Sequence, residues 1–173
     1  MPDDARAANI LAAFALALTD KVGDAMRETA EGRSPAAMAA LIQIGFEPGL
    51  SIERLRACIA LSHSATVRVA DQLEAAGLIE RRRGAAKDAR VAALALTPAG
   101  EAAMRQSLAA RQEVSARLLG LLTPREVETF LGLVERMLPA AVGPGADSDV
   151  VCRLCDLEAC PQDRCPAAHR HGA

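Results

Sequence analysis

The sequence has almost no aromatic side chains, with three Phe and neither Tyr nor Trp among its 173 residues. Tyr and Trp carry a large apolar ring with a polar tip, and proteins use them to stack against aromatic ligands. A pocket that encloses an aromatic ligand by ring stacking is therefore hard to build from this chain.

The sequence also lacks the features of membrane and secreted proteins. No apolar run reaches the roughly 20 residues that span a bilayer. The first residues, MPDDARAAN, lack the basic end of a signal peptide. We therefore expect a cytoplasmic protein with no membrane partner.

Net positive charge is missing as well, since the formal charge of the chain is −2. The charge is unevenly distributed, however. Residues 51–90 carry eight basic and five acidic side chains, so this segment is +3 and the remainder is −5. The positive field is thus concentrated in one segment, which is consistent with local binding to phosphate.

Apolar residues make up 51% of the sequence, and many of them are Ala and Leu. These residues favour helices. A length of 173 residues suits one domain, alone or with an appendage. The composition therefore predicts a mainly α protein.

The middle of the chain predicts two short helices separated by a tight turn. Leu55, Cys58 and Ile59 form one apolar stripe on the first helix, so Cys58 is interpreted as a small core residue. Ser51 and Ser62 are suited to cap the two helices. A buried side of the second helix and a short turn are the pattern of a helix–turn–helix unit.

The second helix has a second face of short polar groups and one Arg. Such a face at the start of a helix suits insertion into the major groove of DNA. The candidate DNA-contacting residues of this helix are Ser62, His63, Ser64, Val67 and Arg68.

Two strands follow, LIERRR and VAALALT, joined by the basic segment GAAKDAR. This pattern is typical of a wing beside a helix–turn–helix, so residues 51–97 form a DNA-reading unit. The candidate DNA contacts of the wing are Arg81, Arg82, Arg83, Lys87, Asp88 and Arg90.

This order of elements resembles the MarR family of winged helix–turn–helix transcriptional regulators. The matching residues are the LS-x-S-x-x-x-R-x-x-D-x-L-E-x-x-G-L-I-E-R run from Leu61 to Arg81, the D-x-R at Asp88 and Arg90, and the L-T-x-x-G from Leu96 to Gly100. Several spaced elements agree at once, over about residues 5–140. The resemblance implies a mainly α fold with a small β wing, in which Arg90 enters the minor groove and Asp88 steadies it.

Long apolar stripes predict helices over residues 5–29, 98–122 and 124–139. Within a MarR-like domain over residues 1–140, the resemblance implies that such terminal helices interlock in a two-fold homodimer. Each copy would then contribute one DNA-reading unit, residues 51–97, which we call the reading head. Two reading heads would also match palindromic operators in double-stranded DNA. The alternative is that these stripes close the core of a single chain.

Residues 141–151 are interpreted as a flexible linker, and residues 152–173 as a cysteine-rich metal-binding tail. We call four of its residues the cysteine cluster: Cys152, Cys155, Cys160 and Cys165. In a cytoplasmic protein such a group favours a metal or redox role over a disulfide framework. We expect the tail to fold semi-independently of the reading head.

Zinc is the first candidate metal, because four thiolate ligands suit its tetrahedral coordination. The spacing equals that of a zinc knuckle with Cys160 in the His position, although the glycine and aromatics of the knuckle are missing. Cys160 and Cys165 are each followed by Pro, which is also seen at iron–sulfur ligands, so an iron–sulfur cluster is the alternative. Unligated thiols are the third reading. His169 or His171 could replace a ligand, but neither is needed.

The sequence thus predicts a dimeric, sequence-specific DNA-binding regulator, by resemblance a repressor. Its signal is left open between a small-molecule effector and metal or redox state sensed through the cysteine cluster. The rival function is a winged-helix protein-interaction module with a zinc-stapled tail, which the basic wing argues against. The C-x-x-C at Cys152 and Cys155 follows a linker rather than a strand, so we expect no thiol–disulfide enzyme.

Overall fold

The computed structural model of the chain describes residues 4–83, 92–142, 148–160 and 165–167. Its elements in chain order are α1 (Asp4–Thr29), α2 (Pro35–Phe46), α3 (Ile52–Ile59), α4 (His63–Ala75), β1 (Ile79–Arg83), β2 (Ala92–Leu96), α5 (Pro98–Leu119), α6 (Pro124–Val142) and α7 (Ser148–Cys152). The predicted mainly α fold with a small β wing is confirmed. No helix among the described residues is long and apolar enough to cross a membrane.

The helices begin where the sequence places short hydroxyl side chains. Each hydroxyl accepts a hydrogen bond from a backbone N–H three residues further on, which satisfies one of the donors left free at a helix start. These caps are Ser34, Ser51, Ser62 and Thr97. At α6 the cap is reciprocal, because the Thr123 N–H donates to the Glu126 carboxylate at 2.8 Å and the Glu126 N–H donates to the Thr123 hydroxyl at 3.4 Å.

The wing is an antiparallel pair in which β1 lies against β2 along its full length. The loop before α3 adds a bridge to this pair. The Gly49 N–H donates to the Leu94 carbonyl, and the Leu94 N–H donates to the Leu50 carbonyl, both at 2.9 Å. The wing is therefore attached to the loop that leads into the helix–turn–helix.

Helix α2 lies at the centre of the molecule, and its side chains from Ala37 to Ile44 are all buried. One side of α2 packs with α3, α4 and the wing into a head core. The other side packs with α1 and α5 into a second core. The head core includes Leu41, Leu55, Leu73 and Leu94, and the second core includes Met26, Ile42 and Leu108.

The long helices α1 and α6 expose much of their apolar surface. In α1 only Met26 is buried, and Leu16 is 68% exposed. In α6 only Val142 is buried, and Leu133 is 49% exposed. These stripes therefore do not close the core of a single chain.

The end of the chain differs from the expected linker and separate tail. Helix α6 runs through Pro139 to Val142, and α7 begins at Ser148. Leu154 packs against both the head core and the second core, and the Gln43 amide donates to the Arg153 carbonyl at 3.3 Å. The tail is too short to bury its own apolar side chains, so it packs on the body of the protein.

Candidate DNA-binding surface and cysteine cluster

The turn between α3 and α4 is fixed by its own backbone and side chains. Ala60 ends α3 in the left-handed conformation with φ +52°. The Ser62 hydroxyl accepts a hydrogen bond from the Ala65 N–H at 3.3 Å, and the buried Thr66 hydroxyl donates to the Ser62 carbonyl at 3.0 Å. The first turn of α4 therefore projects from the head in a defined direction.

The outer face of α4 carries the side chains predicted to meet DNA. His63, Ser64 and Arg68 are exposed, and Val67 is half-buried. Among the described residues Arg68 forms no ion pair, so its guanidinium is available to a ligand. The His63 Nδ1 lies 3.6 Å from the Glu53 carboxylate, which can hold the imidazole over the start of the helix.

Arg81, predicted as a DNA contact, pairs instead with two carboxylates of α4. It lies 2.5 Å from Asp71 and also contacts Glu74. The hydrogen bond to Asp71, with the negative charge of both partners, raises the pKa of Arg81 above its usual value. Arg81 therefore braces β1 against α4, which orients the wing relative to the helix.

The remaining wing residues are only partly described. Arg82 is exposed and pairs with Glu80 on the same strand. Arg83 is the last residue of β1, and its side chain lies outside the described residues. The predicted contacts of Lys87, Asp88 and Arg90 also fall outside the described residues.

The L-T-x-x-G pattern forms a joint between the reading head and α5. The Thr97 hydroxyl donates to the Gly77 carbonyl at 2.6 Å and accepts from the Gly100 N–H at 3.1 Å. A Cβ added at Gly100 would lie 1.9 Å from the Leu78 carbonyl oxygen. The start of α5 thus packs closely against the turn after α4. This contact was not predicted from the sequence, where the L-T-x-x-G pattern served only as part of the resemblance to the MarR family.

The cysteine cluster is assembled at the end of α7, under the C-terminal end of α6. The Cys152 and Cys165 sulfurs lie 4.0 Å apart, and Cys155 packs beside them in the same cluster. Leu138 of α6 packs against this group. Thiols that are separated in sequence are therefore gathered at the end of α7.

The thiols of the cysteine cluster have unequal acidities. The hydrogen bond from Cys152 and the guanidinium of Arg111, whose Nη2 lies 3.8 Å from the Cys155 sulfur, together lower the pKa of Cys155 to about 6. The same hydrogen bond to Cys155 raises the pKa of Cys152. Burial raises the pKa of Cys160. Cys155 is therefore the thiol that ionises first.

The tail is attached to the helix–turn–helix by a charged contact. Asp149 of α7 forms an ion pair with Arg54 of α3, and its carboxylate lies 4.0 Å from the Cys58 sulfur. The hydrogen bond to Asp149 raises the pKa of Arg54. Cys58 is fully buried, which confirms it as a core residue. No sequence pattern predicts the Arg54–Asp149 pair, because its partners are far apart in the chain.

The cysteine cluster is the one group of candidate metal ligands that the sequence singled out. Within the described ranges, no three His, Cys, Asp or Glu side chains already converge in a geometry that could hold a metal ion. His169 and His171 lie outside those ranges. Ligation by the cysteine cluster therefore requires its side chains to turn inward around an ion.

A cleft of about 460 Å³ opens between α1, α2, α5 and the tail. Its walls combine apolar side chains with four arginines and one acidic residue, Asp20. The arginines are Arg27, Arg33, Arg111 and Arg153. The buried Nε of Arg33 has no hydrogen-bond partner among the described residues. The cleft is thus suited to a small anionic molecule.

Comparisons with known proteins agree with this geometry. A profile of the MarR family matches residues 31–90, a range that includes α2, α3, α4 and β1. The HTH-type transcriptional repressor MdtR of Bacillus subtilis (strain 168) is 31% identical over 127 residues, which cover 72% of this chain and 81% of MdtR.

Solved structures share the fold. The YusO protein of Bacillus subtilis superposes with a TM-score of 0.68 at 26% identity, covering 79% of this chain and 97% of YusO. Rv2887 of Mycobacterium tuberculosis, solved in complex with salicylic acid, gives a TM-score of 0.56 at 24% identity, covering 74% of this chain and 93% of Rv2887. The identity to MdtR and its coverage settle the family: the chain is a member of the MarR family of winged helix–turn–helix transcriptional regulators.

Proposed function

We propose that two copies of the chain form a homodimer that represses transcription in the cytoplasm by binding a palindromic operator. The observation that carries this proposal is the outer face of α4. It presents His63, Ser64 and Arg68 to solvent at the start of a helix whose opposite face is anchored in the head core. Side chains at the start of a recognition helix are the ones that reach base edges in the major groove.

The charge distribution supports the same proposal. The reading unit is positive within an acidic chain, so phosphate attraction would act where the helix and the wing approach the duplex. Arg81 braces the wing rather than pointing to solvent, which leaves Arg68 and the basic residues of the wing tip as the direct contacts we propose.

The exposed stripes of α1 and α6 support the homodimer. Leu16 and Leu133 lie in faces that a single chain leaves open, and side chains of this kind are stabilised when a partner covers them. Two heads held by such helices can contact half-sites about one helical turn, roughly 34 Å, apart. MdtR is named a repressor, and we extend that role to this chain.

The arginine-lined cleft supports a small anionic effector. The guanidinium groups can pair with a carboxylate, while Met26 and Met38 supply an apolar floor without aromatic stacking. Rv2887 was solved with salicylic acid, a small carboxylate. Since the likeness to Rv2887 shows the fold alone, the arginines of the cleft are the support for this proposal.

The rival function, a protein-interaction module that does not read DNA sequence, makes a different prediction. Selection of a random duplex library by the purified full-length protein should enrich an inverted repeat if the chain reads an operator. Arg68→Ala should cost roughly 1–3 kcal/mol of binding free energy and relax the choice at one position per half-site. Arg90→Ala should weaken binding to all duplexes and flatten the salt dependence.

Further variants distinguish a residue that contacts DNA from one that only positions the wing. Arg81→Gln should leave the salt dependence of binding unchanged, because Arg81 contacts Asp71 and Glu74. Arg117→Ala, an exposed position on α5, should bind as wild type. A library with no enriched sequence, or an Arg68→Ala variant with wild-type preference, would favour the rival module.

A further inference from the structure

Two sulfurs of the cysteine cluster, those of Cys152 and Cys165, lie at a separation that suits a shared ion. A disulfide joins sulfurs at about 2.05 Å, and the Cys152 and Cys165 sulfurs are 4.0 Å apart. Two thiolates on a tetrahedral zinc with Zn–S bonds of about 2.3 Å lie roughly 3.8 Å apart. A small rotation about the Cα–Cβ bonds is therefore enough to bring this pair to zinc-binding distance.

We propose that the cysteine cluster binds one Zn²⁺ per chain through four thiolates, and that the bound ion strengthens DNA binding by fixing the tail on helix α3. The first part stands on the cysteine cluster alone. The second part rests on the proposed function, since it concerns the operator.

The ligand set favours zinc over harder ions. Thiolates are soft ligands that select zinc, copper(I) or iron, whereas magnesium and calcium require oxygen donors. Backbone turns hold the segment that carries three of the cysteines, with the Cys155 N–H donating to the Cys152 carbonyl at 2.8 Å and the Cys160 N–H donating to the Asp156 carbonyl at 3.1 Å. Four thiolates are also the ligand set of closed structural zinc sites.

The surroundings can stabilise the charge of the complex. Zinc with four thiolates carries a charge of −2, and Arg111 on α5 already points a guanidinium nitrogen at the Cys155 sulfur. Gln112, one residue further on, donates to the Asp156 carboxylate at 2.9 Å. Such outer contacts orient ligands and tune the affinity for a metal. Helix α5 thus supports the loop that contains the cysteine cluster.

The position of the tail is transmitted to the reading head. Asp149 lies within one turn of Cys152 and pairs with Arg54 of α3, the first helix of the helix–turn–helix. Leu154, between two of the cysteines, packs into the head core and the second core. An ion that fixes the cysteine cluster would therefore also fix α3 relative to α5, which favours the arrangement that binds DNA.

Metal content tests the site. Full-length protein purified without oxygen should contain one zinc per chain by elemental analysis and show no visible absorption band. The Cys152→Ser/Cys165→Ser double variant should lose the zinc and keep its helical circular dichroism. Cys58→Ala, which removes a thiol outside the cysteine cluster, should keep it.

Three outcomes would overturn the zinc site. Iron with visible absorption would assign an iron–sulfur cluster instead. Protein that holds no zinc even after zinc is added would rule out a metal site. Stoichiometric zinc in the double variant would show that other residues bind the ion.

DNA affinity tests the coupling. Zinc-loaded protein should bind the selected duplex roughly fivefold or more tightly than chelator-treated protein. Asp149→Asn should retain one zinc per chain and lose this difference, because its link to Arg54 is weakened. Equal affinity of the loaded and treated wild type would overturn the coupling. Failure to select any duplex would count against the proposed function, while the zinc content would still decide the site.

Discussion

At the scale of single residues, the arginines of the reading head divide by what they contact. Arg68 extends into solvent from α4, whereas Arg81 is held by Asp71 and Glu74. Ion pairs as exposed as these contribute at most about 1 kcal/mol to stability, so the effect of Arg81 is mainly geometric. One of these neighbouring arginines is thus placed to contact DNA and the other to position the wing.

Gly100 is a second residue whose role follows from its contacts. It stands in the first turn of α5, where the Leu78 carbonyl oxygen occupies the space that a side chain would need. The Thr97 N–H donates to this same carbonyl at 3.0 Å. The joint between the head and α5 therefore requires glycine for close approach of two backbones.

Gly100→Ala should lower the free energy of unfolding by about 1–3 kcal/mol, the usual cost of forcing extra volume into a packed region. Urea denaturation followed by circular dichroism would measure it. The matched control is Gly23→Ala in α1, where the new methyl meets only the mobile end of Arg27 at 3.3 Å. The control should be neutral or more stable by roughly 0.5–1 kcal/mol, since alanine favours helix over glycine. Equal stability of both variants would contradict the close approach.

At the scale of elements, α1 and α6 are long helices that bury little within one chain. Only part of α1 packs within the chain, since its C-terminal half contributes Met26 to the second core. A partner helix on the open half would bury apolar surface at about 25 cal/mol per Å². In the proposed homodimer the long helices would hold two copies together and leave the reading heads free.

Leu16→Glu in α1 should shift the protein from dimer to monomer, because a charge buried in an apolar interface costs several kcal/mol. Sedimentation equilibrium would measure the shift, and the affinity for the selected duplex should fall with it. Gln106→Glu, at an exposed polar position of α5, is the control and should remain dimeric. A Leu16→Glu variant that sediments as a stable dimer would remove α1 from the proposed interface.

The elements show how far sequence reasoning reaches. Helix caps at Ser51 and Ser62 and the two faces of α4 were predictable, because caps and periodicity are local properties of the chain. The bonds of Arg81 to α4 and of Arg54 to Asp149 were not, since they depend on how elements are oriented after folding. The packing of Leu154 against both cores was not predictable for the same reason, because it depends on surfaces distant in sequence.

At the scale of the whole molecule, the cleft and the cysteine cluster share a wall. Arg111 lines the cleft and contacts Cys155, and Arg153 and Leu154 of the tail close the opposite side. A molecule in the cleft would therefore touch α1, α2, α5 and the tail at once. A ligand that binds one arrangement of these elements better than another shifts the population toward it. In the proposed function, the joint at Gly100 would carry this shift to the reading head.

Salicylate, used as a probe carboxylate, should bind the full-length protein and weaken its hold on the selected duplex. Arg33→Gln should reduce salicylate affinity roughly tenfold or more, because a hydrogen bond to a charged group contributes about 1.5–3 kcal/mol. Arg33 is suited to this role since its side chain is 16% exposed and its Nε is unsatisfied among the described residues. Calorimetry would measure both affinities, with Arg105→Gln as the control on exposed α5 surface.

Phenol, which lacks the carboxylate, should bind more weakly than salicylate. If phenol and salicylate bind equally, or if Arg33→Gln binds salicylate as the wild type does, the arginines of the cleft do not select an anion.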